Sequence, residues 1–81
     1  MKVTVKLFAS FREAVGTPQQ SIEVTPGSTA AQVWERLVEA HPRLAPFSRS
    51  AAFAVNGRYA QPNTPLNDGD TLAFLPPVSG G

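Results

Sequence analysis

Polar and apolar residues alternate strictly along Lys2-Val3-Thr4-Val5-Lys6-Leu7. That is the period of a half-buried strand with Val3, Val5 and Leu7 inward. The same parity turns Lys6 and Phe8 outward. Ser10-Phe11-Arg12-Glu13-Ala14-Val15-Gly16 predicts one helical turn or a wide loop, closed by its glycine. Alternation returns over Ser21-Ile22-Glu23-Val24, a second strand ended by Pro26-Gly27. The period then lengthens. Ala30, Val33, Trp34, Leu37, Val38 and His41 fall on one stripe at helical spacing, while Gln32, Glu35, Arg36 and Glu39 face water. Thr29-Ala30-Ala31-Gln32 has the capping-box pattern, with Ser28 an equally good N-cap. Pro42 stops this helix just after His41.

Residues 42–50 read as a connecting loop pinned by Leu44 and Phe47. Ala52-Phe53-Ala54-Val55 then meets Asn56-Gly57, a strong short-range hairpin signal. A two-residue turn there pairs Val55 with Arg58 and Ala54 with Tyr59. The large apolar pair Phe53 and Val55 faces inward, so Ala54 and its cross-strand neighbour Tyr59 share the outer face. Pro62 and Pro65 prevent regular pairing between them. Leu66-Asn67-Asp68-Gly69-Asp70 is a turn with Gly69 at positive φ. In the last strand, Thr71-Leu72-Ala73-Phe74-Leu75, Leu72 and Phe74 point inward and Leu75 outward. Pro76-Pro77 ends the pairing.

Two strands, one long helix and three more strands form an α+β pattern: a mixed sheet with a helix on one face. The helical connection is too long for a hairpin and lets the first and last strands run parallel at the sheet centre. At 81 residues the chain is one domain, and without cysteine neither disulfides nor thiolate metal sites support it. The missing cysteines fit a reducing, cytoplasmic setting. No apolar run nears the ~18 residues of a membrane span, and the strand pattern starts at the N-terminus. Neither a signal peptide nor membrane attachment is expected. Net charge is +1 with seven scattered Lys and Arg, so no nucleic-acid footprint is expected either.

Conventional catalytic constellations are missing. The single histidine, His41, lies at a helix C-terminus, where a cation is favoured electrostatically. Glu35 and Glu39 share a helix face that reads as solvated rather than acid–base, and Asp68 and Asp70 read as turn chemistry rather than a calcium loop. No metal site is expected. The remaining reactive group is the carboxylate of Gly81, behind Pro76-Pro77-Val78-Ser79-Gly80. Glycines leave this end bare enough for a narrow channel. Six extended residues reach roughly 20 Å. An ionised carboxylate is a poor electrophile, so acyl chemistry there requires prior activation by a second protein with ATP.

Leu7-Phe8-Ala9, Phe11-Arg12-Glu13, Val15-Gly16, the turn at residues 66–70 and the tail from Phe74 to Gly81 together carry a family resemblance. Terminal Gly-Gly is widespread among β-grasp proteins; Pro-Pro-Val-small-Gly-Gly after an aromatic strand is much narrower. Across its whole length the chain resembles the small subunits of molybdopterin synthase, which are ubiquitin-like sulfur carriers. The resemblance implies a β-grasp domain over residues 1–75 and an extended, flexible tail over 76–81. It implies adenylation of Gly81 by an E1-like enzyme using ATP, replacement of AMP by sulfur from a donor protein, and a thiocarboxylate. That group would donate sulfur to cyclic pyranopterin monophosphate inside a large partner subunit, in a heterotetramer. The chain itself binds no cofactor in this reading. Gly80 keeps the tail slim, Pro76, Pro77 and Val78 thread the partner's channel, and Phe8, Arg12, Tyr59 and Leu75 match partner-facing positions. Leu75 stands where an aromatic is expected. Another ubiquitin-like sulfur carrier, as in thiamine synthesis, or a protein modifier joined to lysines would share the same activation chemistry.

Overall fold

The computed structural model describes residues 1–77. Within them the order is β1 (Lys2–Leu7), α1 (Ala9–Val15), β2 (Gln19–Glu23), α2 (Ala30–Ala40), β3 (Ala52–Val55), β4 (Arg58–Ala60) and β5 (Thr71–Leu75). A 3-10 helix, Pro42–Phe47, links α2 to β3. The strands form one mixed sheet in the order β2-β1-β5-β3-β4. β1 and β5 are parallel at its centre, and the other pairs are antiparallel. The parallel central pair is the one expected from the sequence, and the fold is the β-grasp that the family resemblance implies.

Alternation explains the core. The inner face of the sheet buries Val3, Val5, Leu7, Phe53, Leu72 and Phe74 against Ala30, Val33, Trp34 and Leu37 of α2. Trp34 is the hub: its ring lies 5.1 Å from that of Phe74, 5.2 Å from Phe11 and 6.2 Å from Phe53. These are tilted or edge-on geometries, which suit the quadrupole of an aromatic face. Its indole N–H donates to Ser48 Oγ at 3.0 Å, so the buried ring leaves no polar atom unsatisfied.

The expected hairpin is present. Asn56 at φ +51° and Gly57 at φ +85° make a two-residue turn with both central residues left-handed, and Val55 pairs with Arg58 and Ala54 with Tyr59. Asn56 also ties the turn to β5. Its Oδ1 accepts from Thr71 N at 2.9 Å, and its Nδ2 donates to Asp70 Oδ1 at 3.0 Å. In the turn before β5, Gly69 has φ +87°. Asp70 Oδ2 accepts from Asn67 N at 2.8 Å within the turn, as turn chemistry requires, while Asp68 Oδ1 accepts from Lys2 N at 2.7 Å and ties the turn to β1.

Several elements differ from the sequence expectation. The segment after Phe8 is a seven-residue helix rather than a single turn, with Phe11 fully buried and Gly16 closing it at φ +93°. It lacks a side-chain N-cap, so its start carries no local signal. β2 begins at Gln19, because pairing with Lys6 draws Gln19 and Gln20 into the ladder without apolar alternation; it ends at Glu23, and Val24 follows it, buried. Thr29, not Ser28, caps α2: its Oγ1 accepts from Gln32 N at 3.3 Å while Gln32 Oε1 accepts from Thr29 N at 2.8 Å. The Ser28 hydroxyl donates to Thr25 O instead. Residues 42–47 are a 3-10 helix rather than a loop, because Leu44 is fully buried and Phe47 packs 5.4 Å from Phe11. Val55 lies on the inner face but is only half-buried, at the end of β3.

Candidate docking face and tail

β1 and β5 place the expected surface residues on the sheet face opposite α2. Leu7 is the Cα partner of Phe74, and Phe8 continues in extended backbone at φ −124°, ψ 151°. Phe8 therefore stands beside Leu75 on the outer face. Its carbonyl accepts from Phe11 N at 3.0 Å and Arg12 N at 3.4 Å, so the start of α1 holds it in place. At 43% exposure Phe8 gives its ring to solvent although its backbone is fixed. Arg12 is exposed one helical turn later. Leu75, paired with Ala52, is half-buried rather than fully exposed.

Tyr59 lies further away. It is on β4, paired with Ala54 of β3, and thus two strands from β5, about 10 Å from it laterally. It is 83% exposed. Between Tyr59 and the Phe8–Leu75 pair the face is floored by Ala52, Ala54 and Ala73. Strand parity places Ala54 outward, as expected, yet it is only 9% exposed, because its single methyl group sits low between Ala73 and Tyr59. The face is thus a shallow apolar trough between two hydrophobic ridges. The ridges were legible in the alternation; the floor was not, because a small residue's burial depends on the strands beside it.

β5 leads straight from this face to the tail. Leu75 is the last residue in the ladder. Pro76, half-buried, and Pro77, exposed, follow, and neither can donate to a neighbouring strand. Val78, Gly80 and Gly81 lie outside the described residues. His41 is the C-cap of α2 and is half-buried, with its N–H bonded to Leu37 O at 2.8 Å. No cluster of three or more metal-ligating side chains occurs among the described residues, and none of their helices is long and apolar enough to cross a membrane.

Comparison with known proteins adds three likenesses at full length. The molybdopterin synthase sulfur carrier subunit of Mycobacterium tuberculosis is 38% identical over 82 residues, covering 100% of this chain and 99% of the relative. The crystal structure of small archaeal modifier protein 1 from Haloferax volcanii superposes with a TM-score of 0.84 at 32% identity, covering 100% of both chains. A chain from the complex of subunits 1 and 2 of molybdopterin-converting factor from Helicobacter pylori matches with a TM-score of 0.68 at 27% identity, again over 100% of both. The ThiS family matches residues 5–81, nearly the whole length, and the chain therefore belongs to the ThiS family.

Proposed function

We propose that the chain is the sulfur-carrying small subunit of a molybdopterin synthase. The observation that carries this reading is the continuity of an uncovered apolar face, Phe8, Leu75 and Tyr59 around an alanine floor, with the strand that leads into Pro76-Pro77-Val78-Ser79-Gly80-Gly81. One surface docks the body while the tail reaches a distant active site. An E1-like partner uses ATP to form the acyl-adenylate of Gly81. Sulfur from a donor protein displaces AMP, and the resulting thiocarboxylate gives its sulfur to cyclic pyranopterin monophosphate in the large subunit. The chain alone does not turn over substrate; the large subunit surrounds the reacting atoms. Splitting acyl transfer into activation and sulfur delivery divides one difficult step into two easier ones.

Deleting Gly81 is expected to abolish sulfur transfer in a synthase reconstituted with the large subunit, without changing thermal unfolding. Full transfer by the shortened chain would refute the assignment. A second reading draws on the likeness to the Haloferax modifier: the same activated Gly81 would be passed to a lysine amine. Recovery of the chain on substrate lysines, with no large subunit bound, would favour that reading.

A further inference from the structure

The outer face carries three charged ladder residues, Lys2, Glu23 and Lys6. Lys2 and Glu23 are Cα partners, so these opposite charges stand across from one another. Lys6 has no such neighbour. Its partners are Gln19 on β2 and Ala73 on β5, and the next outer positions along β1 are Thr4 and Phe8. It is exposed, and no charged residue stands opposite it in the ladder. A cation with no opposite charge across the ladder thus borders the trough beside Phe8 and Leu75.

We infer that Lys6 is the specificity-determining charge of the docking face, met by an aspartate or glutamate side chain of the large partner subunit. The inference rests on the sulfur-carrier reading given above. A protein that covers Phe8 and Leu75 also removes water from Lys6. A desolvated cation without a counter-charge is costly, whereas a carboxylate placed against it compensates. An apolar partner lacking that carboxylate is rejected, and the alanine floor leaves room for the carboxylate to approach. A second copy docking by the same face would bring two Lys6 side chains into one interface, which disfavours self-association through that face.

The test titrates the full-length chain with the molybdopterin synthase large subunit of the same organism, as wild type and as Lys6→Arg, Lys6→Ala and Lys6→Glu. Wild type and Lys6→Arg should bind with affinity that falls as salt rises. Lys6→Glu should lose about tenfold or more, and Lys6→Ala should show a flatter salt dependence. Thermal unfolding should be unchanged in Lys6→Ala, which keeps the test valid if charge reversal disturbs folding. Wild-type affinity and salt dependence in Lys6→Ala and Lys6→Glu would overturn the role of Lys6 and leave the sulfur-carrier reading standing. Failure of the wild type to bind the large subunit would overturn both. Sedimentation of the free wild type should give a monomer; a dimer dispersed by Phe8→Ala would assign the face to a second copy and overturn the inference.

Discussion

Phe74 and Leu75 are consecutive residues of β5 that face different environments. Phe74 is fully buried, 5.1 Å from Trp34 and 5.3 Å from Phe53, in a core closed by α2. Leu75 lies on the uncovered face beside Phe8, half-buried, with Ala52 as its cross-strand partner. Both are large and apolar, so hydrophobicity alone does not separate them. Parity does. The inner face buries its apolar surface in folding, whereas the outer face leaves Phe8 and Tyr59 uncovered, which under the sulfur-carrier proposal is the surface used for association. Substitutions on β5 should accordingly divide by parity into those that unfold the domain and those that leave it folded but unable to dock.

The largest expected effect is Phe74→Ala. Removing a buried ring costs about 3–5 kcal/mol, a large share of the total for a domain this small. Chemical denaturation should show that loss, and a shift of less than about 1 kcal/mol would mean that the ring is not packed as described. One residue along, Leu75→Lys should leave the unfolding midpoint nearly unchanged. It should weaken binding to the large subunit by about 1–3 kcal/mol, the range for an interface anchor. Unchanged affinity in titration calorimetry, or an unfolded variant, would break the division of faces.

The smallest effect sharpens the boundary between the two faces. Ala9 has φ +48°, a left-handed conformation that an alanine adopts only with strain. It sits where the chain passes from the outward Phe8 to the buried Phe11, so the turn between the faces is made at the expense of backbone strain. Ala9→Gly should relieve this and stabilise the domain by about 0.5–1 kcal/mol net of the added chain entropy. A rise of roughly 2–8 °C in thermal melting would register it. Ala9 is exposed, so a lower melting temperature would show that the added chain entropy of glycine outweighs the relieved strain.

Parity was legible because strands impose a period of two on the chain. Val3, Val5, Leu7, Leu72 and Phe74 all face inward as alternation predicts. The hairpin was legible because Asn-Gly suits a turn with two left-handed residues, and the start of α2 because its capping box is local. The features without a local signal depend on contacts distant in sequence. Gln19 and Gln20 enter β2 only because β1 pairs with them. Residues 42–47 coil because Leu44, Phe47 and Ser48 meet the aromatic cluster of Phe11 and Trp34. The outer face was half legible. Its ridges followed from alternation, whereas the alanine floor and the isolation of Lys6 required the sheet order. The roles of Val78, Gly80 and Gly81 rest on chemistry read from sequence and on the sulfur-carrier proposal.

The central claim is that Gly81 carries sulfur after activation. The direct measurement is tandem mass spectrometry of the full-length protein incubated with its activating enzyme, ATP and a sulfur donor. A sulfur-for-oxygen mass increase confined to the C-terminal peptide, and absent when ATP is withheld, is the expected result. Sulfur on an internal residue, or a thiocarboxylate formed without ATP, would contradict it.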